Sequence, residues 1–293
     1  MSLYARRCVM NLFPRLYKKI IVLLCCTFPL FVHAAGNAAH GQYLVAAAGC
    51  AGCHTNNTVD ARPFAGGRIL QTPFGVFHVP NITPHKQTGI GSWTEANFLR
   101  ALRTGVRPDG QHYYPAFPYP SYSGITDSDL SDIWAYLQSL PAINQVNQTH
   151  ELQFPYNQRW LLGPWQWLYF SSRFSTTITN RGAYLVDVLG HCGECHTQRN
   201  SLGAVIRERH LGGGSLAEDK SAPSLAPGDL QQWTDEELKQ FLKTGDKPDG
   251  DVANTTMDEV IRTTTSQLTS ADLEAVIAYI RSLPPVDSES GNQ

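Results

Sequence analysis

The 293-residue sequence predicts an all-α protein made of two tandem copies of one domain, and three observations carry that prediction. Segments roughly 140 residues apart repeat one another, both copies show helical periodicity with matching start and stop signals, and each copy opens on the same Cys-x-x-Cys-His pattern.

The repeat is colinear. "GQYLVAAAGCAGCHT" (Gly41 to Thr55) matches "GAYLVDVLGHCGECHT" (Gly182 to Thr197), "WTEANFLRALRTGVRPDG" (Trp93 to Gly110) matches "WTDEELKQFLKTGDKPDG" (Trp233 to Gly250), and "ITDSDLSDIWAYLQSLP" (Ile125 to Pro141) matches "LTSADLEAVIAYIRSLP" (Leu268 to Pro284). The offset is 142 at the first cysteines, 140 at the tryptophans and 143 at the last helix. In the middle segments Phe98, Leu99 and Leu102, and then Leu238, Phe241 and Leu242, recur at helical spacing, and Thr234-x-x-Glu237 is a capping-box pattern. The last helix of each copy starts at Thr126-x-x-Asp129 or Thr269-x-x-Asp272 and stops before Pro141 or Pro284. Between the cysteine pattern and the middle helix, "RPFAGGRILQTPFGVFHVPNITPHKQTGIG" shows no long period and reads as loop.

The amino-terminal segment is of another kind. Arg6, Arg7, Arg15, Lys18 and Lys19 precede the apolar run Ile20 to Val32, and a small-residue cleavage site follows, which reads as a secretory signal peptide over 1–34 and an exported, periplasmic chain, with an uncleaved anchor as the alternative that the short run and Pro29 disfavour. Without the five leader cations, 18 Lys+Arg face 25 Asp+Glu, a net charge of −7 that argues against a nucleic-acid partner. The rest divides into domain 1 over 35–141, an aromatic-rich interdomain segment over 142–180, domain 2 over 181–285 and a polar tail over 286–293. The segment "RWLLGPWQWLYF" has too few apolar residues to cross a bilayer and reads first as packing between the domains, with docking to a membrane or a partner as the alternative. Asn81-Ile82-Thr83 is a formal glycosylation sequon, read here as loop sequence only.

Removal of the leader also takes Cys8, Cys25 and Cys26, leaving Cys50, Cys53, Cys192 and Cys195, all within "CAGCH" and "CGECH". Two thiols three residues apart can add to the two vinyl groups of a porphyrin, and the histidine that follows is placed as the proximal ligand of the iron. A structural disulfide, a redox pair and half of a zinc site are the competing readings. None of them requires His54 or His196 directly after the second cysteine. Two covalent haem c groups are therefore expected, at Cys50, Cys53 and His54 and at Cys192, Cys195 and His196, each wrapped by its domain.

The distal ligands differ between the copies. Carrying the offset of 140 forward places Phe117 opposite Met257, and these residues lie 63 and 61 positions after their proximal histidines. Met257 is the only methionine outside the leader, so it is expected to ligate the second iron. Phenylalanine cannot donate to iron. The sixth ligand of the first haem is left open, with His112, His78 and His85 as candidates and Tyr113 and Tyr114 ranked below them.

Across the exported chain, "PFAGG", "TPFG", "NITP…TGIG", "YPAFPYPSY", "FPYNQRW", "NRGAYLV…GHCGECHTQRN" and "TTMDEV" carry a resemblance to the cytochrome c subunits of membrane-associated alcohol and gluconate dehydrogenase complexes. These are multihaem chains of tandem class-I-type cytochrome c domains. The resemblance implies electron transfer from a quinoprotein or flavoprotein dehydrogenase towards a quinone, another cytochrome or an oxidase, with peripheral membrane association. It implies an electron-transfer subunit rather than a catalyst. Two departures stand out: the family usually has three haems where this chain has two motifs, and its first domain reads P-A-M-P-Y where this chain has Phe117. A haem enzyme or a gas-binding protein using an open position at the first haem is the alternative reading.

Overall fold

The structure, a computed structural model, describes residues 36–171, 178–215, 221–227 and 229–286. The export leader and the tail beyond 286 lie outside the described residues. In the first copy, Asn37 caps α1 (Ala38–Ala47) by accepting from the N–H groups of Ala39 and His40, and α2 (Cys50–His54) follows at once. An antiparallel hairpin, β1 (Ile69–Thr72) and β2 (Gly75–His78), leads to α3 (Glu95–Thr104), capped by Thr94, then to α4 (Tyr119–Tyr122) and α5 (Asp127–Ser139). The bridge adds β3 (Glu151–Leu152) to β2 and forms α6 (Leu162–Tyr169). The second copy repeats the order with α7 (Arg181–Ala183), a π-helix over Tyr184–Leu189, α8 (Gly193–His196), the pair β4 (Gly214–Ser215) and β5 (Ser221–Ala222), α9 (Asp235–Thr244), α10 (Thr255–Thr263) and α11 (Ser270–Arg281).

The described residues are thus mostly helical, with short strands in stretches read as loop. The hairpin is hidden in the sequence because each strand has only four residues, and Pro73-Phe74 turns the chain between the paired Thr72 and Gly75. The capping signals hold as read: Thr234 and Glu237 make the reciprocal capping box, and Thr126 and Thr269 accept from the N–H groups of Asp129 and Asp272.

In both copies the first and last helices cross at a glycine. A Cβ on Gly41 would sit 1.9 Å from the Asp132 carbonyl oxygen, and one on Gly182 2.1 Å from that of Ala275, so only glycine allows the two backbones to touch. Around these crossings lie Leu44, Val45, Leu130, Ile133 and Leu137 in the first copy, and Leu185, Val186, Leu273, Val276 and Ile280 in the second, in one continuous core.

The second copy carries one extra residue between this glycine and its first cysteine, and the π-helix absorbs it. Ten positions separate Gly182 from Cys192 against nine from Gly41 to Cys50. The N–H of Gly190 accordingly reaches back five residues to the Leu185 carbonyl (2.7 Å), whereas Ala48 reaches back four to Leu44 (2.8 Å). The wider turn restores the cysteine to its place at the end of the helix.

The copies meet in a pseudo-symmetric interface. Tyr43 donates its hydroxyl to Asp272, and its counterpart Tyr184 donates to Asp129 (2.5 Å), the counterpart of Asp272. Each surface patch therefore serves both sides, as in a two-fold dimer built from one chain. At the centre stand Gly49 and His191, the residues preceding the first cysteine of each motif, both with positive φ. A Cβ on Gly49 would lie 3.9 Å from His191 Cε1.

The bridge packs on both copies. From α6, Gln166 donates to the Thr104 carbonyl (3.1 Å) of the first and Trp165 to the Leu202 carbonyl (2.9 Å) of the second. Trp160 and Trp167 face outward, 70% and 83% exposed. Among the described residues no helix is long and apolar enough to cross a membrane. Asn81, of the formal sequon, is buried and ties the loop together through the Ile143 carbonyl and the Thr83 N–H, a structural role that leaves its amide inaccessible.

Candidate functional site

Each Cys-x-x-Cys-His motif is a single helical turn that brings its two thiols and its imidazole to one side. His54 Nδ1 lies 2.7 Å from the Pro80 carbonyl oxygen, and His196 Nδ1 2.7 Å from that of Pro223. A carbonyl only accepts, so Nδ1 carries the proton in both rings and Nε2 presents a lone pair. That is the tautomer an iron ligand needs, oriented by a partner behind the ring. Burial holds both imidazoles below their ordinary pKa, against the raising effect of the proline carbonyls, which keeps them neutral.

The surroundings are duplicated down to the backbone. Gly66 N–H donates to the His54 carbonyl (2.7 Å) and Gly213 N–H to that of His196 (2.9 Å). Thr55 Oγ1 accepts from Phe64 N–H (3.2 Å) as Thr197 Oγ1 does from Leu211 N–H (3.0 Å), and both donors stand at positive φ. Sequence reading missed these partners. The readable signal was a proline 26 residues after His54 and one 27 after His196, since a proline N lacks a proton but its carbonyl remains free to accept.

Cys50, Cys53, Cys192 and Cys195 are free thiols. Burial pushes Cys50 up to about 12, and burial with Asp187 nearby does the same to Cys192. Reactive redox pairs need the opposite, a depressed thiol pKa beside positive charge, so the redox-pair reading finds no support in this environment. A closed zinc site is also disfavoured, because among the described residues neither motif belongs to a group of three ligand atoms lying within 4.8 Å of one another. Two neutral thiols beside a neutral, oriented imidazole fit a covalently attached haem, which Cys50, Cys53 and His54 would hold in one copy and Cys192, Cys195 and His196 in the other.

Met257 stands in the first turn of α10, its N–H capped by Asn254 Oδ1 (2.9 Å). The match of Phe117 to Met257 is repeated in the backbone. Arg107 N–H to the Gln111 carbonyl (2.8 Å) and Tyr113 N–H to Gly105 (2.7 Å) are mirrored by Lys247 to Asp251 (2.8 Å) and Ala253 to Gly245 (2.8 Å). Four residues beyond these superposable turns come Phe117 and Met257. Phe117 packs against the rings of Tyr113, Tyr119 and Tyr122, with centroids 5.1, 6.3 and 5.9 Å away.

The histidine candidates are spread apart. His78 Nε2 meets Glu151 Oε1 at 3.0 Å, and His85 Nδ1 accepts from Thr88 N–H at 3.2 Å. The His112 ring lies under the bridge helix, its Nε2 3.7 Å from where a Cβ on Gly163 would be. Tyr114 is stacked beneath the Arg159 guanidinium (4.7 Å).

Residues 38–141 and 180–284 each match the family model of cytochrome c. The chain is 40% identical over 267 residues to a diheme cytochrome c-type protein of Cereibacter sphaeroides, covering 88% of this chain and 90% of that one. It is 38% identical over 262 residues to the fructose dehydrogenase cytochrome subunit of Gluconobacter japonicus, covering 86% of this chain, and 34% identical over 266 residues to the gluconate 2-dehydrogenase cytochrome c subunit of Pantoea cypripedii, covering 85%. It spans only 53% and 60% of the lengths of those two subunits. With both halves matched and an axial-type histidine held the same way in each, the chain belongs to the cytochrome c family, as two tandem copies of its domain.

Proposed function

We propose that this chain is a periplasmic dihaem cytochrome c that carries electrons from a quinoprotein or flavoprotein dehydrogenase to a respiratory acceptor. The observation that carries the reading is the duplicated hydrogen bond from a proximal-type histidine Nδ1 to a proline carbonyl, beside paired thiols. When bound, haem c supplies a one-electron ferrous–ferric couple. The protein's residues do the rest. Cys50, Cys53, Cys192 and Cys195 would hold the group through thioethers and prevent its loss. Pro80 and Pro223 fix the rings of His54 and His196 as ligands that need little rearrangement between oxidation states. Met257 would supply a thioether sulfur in the second copy, raising the potential relative to a histidine ligand.

The dehydrogenase partner is supported by relatives named for fructose and gluconate oxidation, to which are added an alcohol dehydrogenase (quinone) cytochrome c subunit and a nicotinate dehydrogenase subunit. One cytochrome type beside such different substrates supports assigning substrate choice to the partner. The acceptor is a quinone, a cytochrome or an oxidase, and any membrane association is peripheral. The domain limits stay at 35–141 and 181–285, with the signal peptide over 1–34.

The test is the intact mass and pyridine haemochrome of the exported protein, followed by reduction with candidate dehydrogenases. Two haems per chain and reduction by a dehydrogenase in the presence of its substrate are expected. A mass equal to the apoprotein would reject the proposal.

A further inference from the structure

We propose that the first copy offers its haem an open sixth coordination position, walled by Tyr113, Phe117, Tyr119 and Tyr122, which takes a small neutral π-acceptor such as carbon monoxide or nitric oxide. This rests on the haem reading above. It follows from where each possible ligand goes.

A sixth ligand must approach from the face opposite His54. Pro80 holds His54 from behind through its carbonyl, so the segment around Pro80 forms the proximal wall. His78 and His85 belong to that segment, two residues before and five after Pro80, and both rings are engaged there, with Glu151 and Thr88. His112 is on the distal loop, but its counterpart by register is Val252, a surface residue 60% exposed. The His112 ring lies against α6 with its Nδ1 buried and without a hydrogen-bond partner, while Arg159 Nη1 holds its carbonyl (2.9 Å). Tyr114 is held by Arg159 above its ring and by the edges of Phe77 and His150. No methionine exists outside the leader other than Met257, which is in the second copy. The residue that register places at the sixth position is Phe117, and its ring can donate nothing.

The walls set the ligand class. Phe117 and the rings around it contain no charged side chain, and burial raises the Tyr113 phenol to about 12, which keeps it uncharged. The charges felt at this cluster are each engaged elsewhere: Glu194, beside Ser121, with Arg199, Asp109 with Arg107, and Arg159 with the Tyr114 ring and the His112 carbonyl. At a ferrous haem an anion entering such a site would lose hydration without gaining an unengaged counter-charge, whereas a neutral diatomic loses little. The close aromatic packing also favours two-atom ligands over bulky ones.

The experiment uses the exported holoprotein, with two haems first verified by mass and haemochrome so that failure of the haem reading is seen separately. The reduced protein is titrated with carbon monoxide. One equivalent per two haems is expected, with one ferric high-spin signal beside one low-spin, methionine-ligated signal. Phe117→Met should lower the affinity roughly tenfold or more, because bound sulfur must first be displaced, and should add a second methionine–iron band. Phe117→Leu, which supplies no ligand, should retain the uptake. Two low-spin haems without carbon monoxide uptake in the wild type would overturn the inference, as would uptake indifferent to Phe117→Met. Uptake gained only in His112→Ala would assign the position to that histidine instead.

Discussion

Arg68 of the first copy forms a two-pronged ion pair with Glu259 of the second, its Nη2 2.7 Å from Glu259 Oε2, while its Nη1 also donates to the Gly52 carbonyl inside the first Cys-x-x-Cys-His turn. Glu259 stands two residues after Met257 on α10. One guanidinium thus couples the Cys-x-x-Cys-His turn of one copy to the helix carrying Met257 of the other.

Both side chains are largely buried, 17% and 22% exposed. Arg68→Ala should therefore destabilise the protein by about 1.5–3 kcal/mol, the range for hydrogen bonds to charged groups. A double-mutant cycle with Glu259→Gln in urea should give a coupling of about 1 kcal/mol or more. Additive effects would show that the pair contributes nothing to joining the copies.

The helix crossings give a sharper contrast. Gly41→Ala and Gly182→Ala should each cost about 1–3 kcal/mol, because the new methyl meets backbone rather than a side chain that can move aside. Gly110 also has positive φ (85°), but nothing lies within 4 Å of its Cβ position. Asparagine tolerates that conformation, so Gly110→Asn should stay within about 0.5 kcal/mol of wild type. Thermal unfolding of the three variants side by side is the check.

His150 predicts a pH dependence. Burial, then Arg159, His78 and Arg107, lower its pKa to about 4. The unfolded chain binds a proton near pH 6.5 while the folded one does not until about pH 4, so this group's stability is complete above the unfolded value and declines as pH falls between the two. Urea unfolding of His150→Gln should be less pH-dependent than wild type across that window. An unchanged slope would remove His150 as its source.

Met257→His should move one of the two reduction steps to lower potential and leave the other in place, since a second imidazole stabilises ferric iron more than a thioether does. Spectroelectrochemical titration reads this directly, together with loss of the methionine–iron band. Movement of both steps together would mean that the sulfur serves neither iron alone.

Most of the helical frame was legible, because capping residues, proline stops and the 3.6-residue period act over a few neighbours. Thr126, Thr234 and Thr269 make the hydrogen bonds that their spacing announced. The motifs "CAGCH" and "CGECH" likewise contain their own geometry, since one helical turn fixes which side chains share a face. The hairpin at 69–78 was not legible, because its strands are too short for a period of two to emerge and are held by pairing with the distant Glu151–Leu152.

The sequence by itself determined the duplication, the two thiol–imidazole turns and the single methionine beyond residue 34, all of which are properties of residue order. Only tertiary structure decided that Pro80 and Pro223 stand behind the histidines, that His78 and His85 turn to other partners, and that Tyr43 and Tyr184 bind Asp272 and Asp129 across the copies. The physical reason is range. Caps and turns are fixed by contacts within a few residues, whereas a hydrogen bond between residues 26 or 229 positions apart exists only once the core has brought its two ends together.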